Sequence, residues 1–238
     1  MPNWVFTSVE IEGPAAEVDR FYSGLKKSDN KEDFEILNSY YPTPDELMTR
    51  TAGTYSENYP PKWDEFLASG IMSQEQYDES IRLNTEGYEL DKQCIATYGY
   101  PNWLHWQRDK WGTKWGDVRT YIEEPSLEAD GETKITTGRF ETAWAPATEG
   151  FKEISRLFPS LRFEFYYAEE ADFLAGAEVI KGGEVLFQSF YQPMDEFGDA
   201  PEGIDYDSKE MADWLEDYDN FRMQSQIEIE IEARKYGR

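Results

Sequence analysis

The chain has 238 residues, with 49 acids against 23 bases, a formal net charge of -26 and 16% aromatic residues. That length buries a sizeable core, and the aromatic content argues against disorder despite a mean hydropathy of -0.77. So negative a field repels phosphate backbones and anionic lipids, which disfavours direct nucleic-acid binding and membrane docking; it attracts basic surfaces, including those of proteins that hold DNA.

Cys94 is the only cysteine, so neither an intramolecular disulfide nor a thiolate metal cluster is expected. No basic segment followed by an apolar run opens the chain and no stretch reaches the length of a membrane span, so a cytoplasmic protein is expected.

In chain order, "NWVFTSVEIEG" (3–13) alternates, with Val5, Thr7, Val9 and Ile11 on one face, and predicts a strand ending at Gly13. Pro14 suits a first helical turn, and Val18, Phe21, Tyr22 and Leu25 follow at helical spacing. Residues 26–62 lose periodicity and are rich in charge and proline, as in loops or a loosely ordered insertion. Trp63, Phe66 and Leu67 then make a short amphipathic turn. A long helix follows, with Ser73 and Gln76 as a capping box and Tyr77, Ile81, Tyr88, Ile95 and Tyr98 near one stripe, stopped by Gly99 and Pro101.

Two strands are predicted at 117–124 and 134–145, and a helix at 146–159 with Ala147, Phe151, Ile154 and Phe158 on one side. "LRFEFYYAEE" (161–170) turns Leu161, Phe163, Phe165 and Tyr167 inward and Arg162 and Glu164 outward, and residues 173–190 read as a hairpin turning at Gly182-Gly183. The order β-α-insertion-β-β-α-β plus a hairpin predicts an α+β, ferredoxin-like βαββαβ antiparallel sheet with a helical insertion at about 26–99. Residues 195–219 hold eleven acids and one lysine. From Ser208 a helix would present Met211, Trp214, Leu215, Tyr218 and Phe221, completing an acidic helical C-terminal extension (195–238) packed on the 1–194 domain. "QIEIEIEAR" (226–234) fits strand or helix equally.

Four tryptophans, Trp103, Trp106, Trp111 and Trp115, surround the sole histidine, His105, at near-helical spacing. One reading makes them a structural plug between the sheet and the preceding helix, with Gly112 allowing close backbone approach and Thr113 and Asp117 capping or closing turns. The other makes Trp111 or Trp115 a stacking platform beside Arg108, Lys110 and Lys114, a site for a small anionic or nucleotide-like ligand. His105 has no second His or Cys partner, the carboxylates are scattered, no G-x-S-x-G elbow occurs and Gly182-Gly183 opens no phosphate loop. No catalytic residue, metal or cofactor is therefore expected.

"MPNWVFTSVEIEG", "YGYPNWLHWQRDKWGTKWGD", "FETAWAPATEGFKEISRLFPSLRFEFYYAEE" and "FLAGAEVIKGGEV" together resemble the YubB-like ferredoxin-like proteins of phages and conjugative plasmids. The resemblance covers the first strand and roughly residues 97–190, with Lys110 where asparagine is common and Ala145 where a capping serine is usual. It implies the fold and a mobile-element origin, and no reaction. Joined to the charge, it leads to an expected non-enzymatic, DNA-mimicking counter-defence protein that binds a basic, DNA-handling host protein. The stretch expected to carry this holds Asp195, Glu196, Asp199 and Glu202, and above all Asp205, Asp207, Glu210, Asp213, Glu216, Asp217 and Asp219.

Overall fold

The computed structural model describes residues 3–29, 32–57, 62–171, 173–198, 200, 203, 205 and 207–237. Asp199 and Glu202 lie outside them. The elements run β1 (Trp4–Pro14), α1 (Ala15–Gly24), β2 (Lys26–Lys27), β3 (Phe34–Glu35), α2 (Ile36–Tyr40), α3 (Asp45–Met48), α4 (Lys62–Ala68), α5 (Gln74–Tyr98) and α6 (Trp103–Lys110). Then follow β4 (Val118–Ile122), β5 (Ser126–Leu127), β6 (Thr133–Ala143), α7 (Thr148–Leu157), β7 (Arg162–Glu169), β8 (Ala175–Lys181), β9 (Glu184–Tyr191), α8 (Pro193–Phe197) and α9 (Lys209–Ala233). They divide into two compact units, Met1–Pro42 with Lys110–Arg238, and Thr43–Asp109. The insertion expected at about 26–99 is thus shifted: residues 26–42 belong to the sheet unit.

In the sheet unit the strand order is β2-β3-β4-β6-β1-β7-β8-β9, with β5 also on β6, and the pairings are antiparallel. Its centre, β4-β6-β1-β7 with α1 and α7 as crossovers, is the ferredoxin-like arrangement, extended by β8–β9 on one side and β2–β3 on the other. The short strands β2 and β3 replace part of the loop expected at 26–62; two residues each leave no periodicity to read.

Alternation places Val5, Thr7, Val9 and Ile11 of β1, all buried, on one face with Phe140 of β6 and Phe163, Phe165 and Tyr167 of β7. Helices α1 and α7 cover it. Phe151 of α7 sits 4.6 Å from Phe165 and 5.4 Å from Phe140, centroid to centroid, and Phe21 of α1 packs edge-on to Phe158 and Phe163. Each such ring buries roughly 150–250 Å², which makes this layer the main core. Gly182 and Gly183, at φ +60° and +88°, close the β8–β9 hairpin as a two-residue turn that needs left-handed backbone.

The opposite face is half covered. Helix α9 runs unbroken to Ala233, so 226–233 is helix, with Arg234 as its cap. Ile229 packs on a buried cluster of Ala177, Val179 and Ala233, while Ile227 and Ile231 stay exposed. Arg162 and Glu164, expected outward, do lie on this face, but α9 seals them to 2% exposure. They form an ion pair, and Arg162 donates to the carbonyls of Ala233 (3.2 Å) and Tyr236 (2.6 Å), which holds the last turn of α9 on the sheet. Nearer its start, Met211 and Tyr218 are buried, and Phe197 of α8 packs on Trp214, Tyr218 and Phe221.

The second unit is helical. Ser73 and Gln76 form the capping box, and Gly99 at φ +82° ends α5. The buried face of α5 is centred on Asn84, Gly87, Asp91 and Cys94, and Ile95, expected inside, is half exposed. The helix is turned because polar contacts set its buried face: Asp91 accepts from Arg50 (2.7 Å) and the Tyr55 amide (2.9 Å), and the Tyr55 ring lies where a side chain at Gly87 would stand.

Candidate functional site

The uncovered half of the second sheet face and the flank of α9 enclose an open groove of about 1270 Å³. Its floor follows from register. One row of paired residues runs Tyr121–Arg139–Ser8–Tyr166, and the next runs Glu141–Phe6–Ala168. The α9 wall contributes Asp219, Arg222, Met223, Gln226, Ile227 and Glu230. Apolar surface is unusually open here: Phe6 is 48% exposed, Tyr121 53%, Met223 63% and Ile227 52%. Five acids line the groove (Glu32, Asp33, Glu141, Asp219 and Glu230) against three bases (Arg119, Arg139 and Arg222). Arg139 lies over the Tyr121 ring, 5.9 Å from its centroid. The hydroxyl of Tyr166 is buried and has no hydrogen-bond partner among the described residues.

At the groove's rim stands a ladder of cations and indoles. The Lys114 ammonium is 4.9 Å from the Trp115 ring, Trp115 is 5.9 Å from Trp4, and the Arg119 guanidinium is 5.4 Å from Trp4 and pairs with Glu141. Arg119 holds φ +51°, a left-handed conformation that costs a non-glycine residue roughly 1–2 kcal/mol, at the register shift between Val118 and Tyr121. In the sequence Arg119 is the last of four bases within residues 108–119, the densest basic cluster of the chain, inside the 103–119 segment of the small-ligand reading; its left-handed backbone had no signal there.

The proposed ligand residues are not one constellation. Helix α6 ends at Lys110, and Gly112 at φ +85° breaks the run, so Trp103 and Trp106 stay in the helical unit with Arg108, while Lys110, Trp111, Lys114 and Trp115 belong to the sheet unit. Trp111 is 1% exposed: its indole N–H donates to the Tyr41 carbonyl at 2.8 Å, and Gly116 and Gly150 make room for its ring. It therefore offers no face to a ligand. Half-buried Trp115 is engaged by Lys114 and Trp4. Thr113 and Asp117, expected to cap or close turns nearby, chiefly make distant contacts: Thr113 ties its segment to the end of β6, and Asp117 holds the first amides of α2. Thr113 Oγ1 donates to the Ala143 carbonyl, and the buried Asp117 carboxylate accepts the amides of Ile36 (2.7 Å) and Leu37 (2.9 Å) and the Thr120 hydroxyl.

Asp205, Asp207, Glu210, Asp213, Glu216, Asp217 and Asp219 are all exposed. Asp213 pairs with Lys209, and Asp219 lies 3.8 Å from Arg222. One buried carboxylate had no sequence signal. Glu178 sits on the α7 side of the sheet and accepts from Thr148 (2.8 and 2.9 Å), Gln188 (2.7 Å) and Tyr167 (3.5 Å). Burial pushes its pKa up, against those hydrogen bonds, which pull it down. His105 Nδ1 lies 2.9 Å from Asn102 Oδ1, and the described residues hold no cluster of His, Cys, Asp and Glu suited to a metal ion. No helix among them is long and apolar enough to cross a membrane.

Fold and groove together define a ferredoxin-like protein with an added hairpin, a helical insertion and a C-terminal helix across its second face. Residues 110–209 match the family described as the ferredoxin-like domain in Api92-like protein. The chain is also similar to the crystal structure of a protein api92 from Yersinia pseudotuberculosis, at TM-score 0.41 and 9% identity, covering 84% of this chain and 100% of that one. No curated protein matches the chain.

Proposed function

We propose that the protein is a non-enzymatic binding module that engages a basic protein surface through the acidic outer side of α9. The observation that carries this reading is the arrangement of α9 itself. Met211, Tyr218 and Ala233 are buried, Ala233 against the sheet, while Glu210, Asp213, Glu216 and Asp217 face solvent along the first turns of the helix. An array of fixed carboxylates competes for the sites where a DNA-handling protein holds phosphates, and the net charge of -26 steers such a partner in. With the resemblance to proteins of phages and conjugative plasmids, this reading extends to a counter-defence factor that mimics DNA in the bacterial cytosol.

The test is capture of partners by the tagged chain from bacterial lysate at low and high salt, with duplex DNA as competitor. The reading expects a captured protein released both by salt and by DNA. Capture indifferent to both would sink it.

A small-ligand reading keeps only the rim, where Lys114, Trp115, Trp4 and Arg119 stack. A nucleotide-induced thermal shift abolished by Trp115→Ala, in a chain that still folds, would favour it.

A further inference from the structure

We infer that the groove beside α9 is the seat of a basic, amphipathic segment of the partner protein, which inserts apolar side chains between the helix and the sheet. The inference rests on the acidic-surface reading above and adds what that reading lacks, an apolar anchor.

Three observations lead here. Met223, Ile227 and Ile231 stand at four-residue spacing on α9, exposed by 63%, 52% and 57%, and Met223 and Ile227 open onto the groove opposite exposed Phe6 and Tyr121. Four residues of helix rise about 6 Å, so the stripe presents regular apolar steps along the wall. Next, the buried Tyr166 hydroxyl lacks a hydrogen-bond partner among the described residues, and Tyr166 forms part of the floor. An unmade hydrogen bond in such a place is costly, and a shift of the Tyr166 ring as a segment enters would bring the hydroxyl to a backbone carbonyl that accepts from it.

Charge chooses the occupant. Five acids against three arginines around the groove oppose a nucleic acid, an anionic headgroup or an acidic peptide. A second copy of the chain would bring a further net charge of -26. At about 1270 Å³ and open along its length, the groove also exceeds the roughly 300–1,000 Å³ of enclosed small-molecule pockets. A peptide segment carrying apolar residues on one side and lysine or arginine on the other satisfies the walls, the floor and the field together.

The experiment is a methyl NMR titration of the full chain, labelled at Met and Ile, with three synthetic peptides. The first is an amphipathic leucine–lysine peptide, the second has glycine for every leucine, and the third has glutamate for every lysine. The amphipathic peptide is expected to shift Met223 and Ile227 and to bind tighter than the glycine peptide. Met223→Ser and Ile227→Ser, both at exposed sites, are each expected to weaken it roughly tenfold, as for loss of an interface anchor. Binding of the glycine peptide should stay unchanged, and the acidic peptide should fail. Fingerprint spectra of the variants report that they fold. If wild type and both variants bind the amphipathic and glycine peptides alike, the groove is overturned and the acidic reading stands. If no lysine peptide binds the wild type, the acidic reading falls and takes this inference with it.

Discussion

The two faces of the sheet are built from the same strands and end up unlike. Under α1 and α7, Val9, Phe140, Phe163 and Phe165 meet Phe151 and Phe158 in a layer that water does not reach. Across the strands, Ser8, Glu10, Arg139 and Glu141 alternate with Phe6 and Tyr166, and α9 covers only the β7–β9 side. One face specifies the fold through apolar area; the other holds the end of α9 through the Arg162 hydrogen bonds to the Ala233 and Tyr236 carbonyls and a small apolar cluster, and leaves Phe6, Tyr121, Met223 and Ile227 open. Apolar surface left exposed beside a fully packed layer marks a surface with a use.

The sharpest way to break this contrast is a matched pair of truncations. Phe151→Ala should cost about 3–5 kcal/mol, whereas Phe6→Ala, on an exposed ring, should cost less than about 1 kcal/mol. Denaturant unfolding of both variants measures the difference, and equal costs would erase the distinction between the faces.

Next in size is Arg162→Met. It strands the buried Glu164 carboxylate and frees the carbonyls of Ala233 and Tyr236, so a loss of about 3 kcal/mol is expected. Hydrogen exchange should localise the loosening to the end of α9, and adding Glu164→Leu should restore much of the stability. Failure of the second substitution to rescue would mean that the stranded Glu164 carboxylate is not the main cost, and that the lost Arg162 hydrogen bonds to the Ala233 and Tyr236 carbonyls are.

A smaller effect tests the packed face by pH. Burial raises the pKa of Glu178 in the fold, so its contribution is fully present below the unfolded value of about 4.3 and is lost as pH rises through the folded value. Glu178→Gln should therefore be the more stable chain at neutral pH, by on the order of 1 kcal/mol, with the advantage vanishing in acid. Parallel stability curves for the two chains from acid to neutral pH would refute the buried-charge account. Smallest of all, Ile227→Ser should change stability by no more than about 0.5 kcal/mol, because nothing in the fold depends on that side chain.

Much of the scaffold is legible from local pattern. The alternation of Val5, Thr7, Val9 and Ile11, the spacing of Ala147, Phe151, Ile154 and Phe158, and the Gly182-Gly183 turn each encode one element with one buried side, and the structure follows them. Legibility fails where the decisive contact is distant. Ile95 is outside because Asp91 and Gly87 answer to Arg50 and Tyr55, some 40 residues away. The alternation of "QIEIEIEAR" serves a helix because Ala233 is fixed by Arg162. The groove joins Phe6, Tyr121, Arg139, Tyr166 and Ile227 from five elements, so no local motif records it. The tryptophan segment shows the converse: four indoles close in sequence are divided between two units, and the one most buried, Trp111, owes its place to Tyr41, Gly116 and Gly150. Side-chain chemistry was visible there, and burial was not.

The most direct measurement is the salt dependence of partner affinity for the wild-type chain and for one carrying Glu210→Gln, Asp213→Asn, Glu216→Gln and Asp217→Asn. Recognition by the outer side of α9 predicts weaker binding at low salt and a shallower salt slope for the neutralised chain, the two chains converging at high salt. Identical affinities and slopes would contradict it.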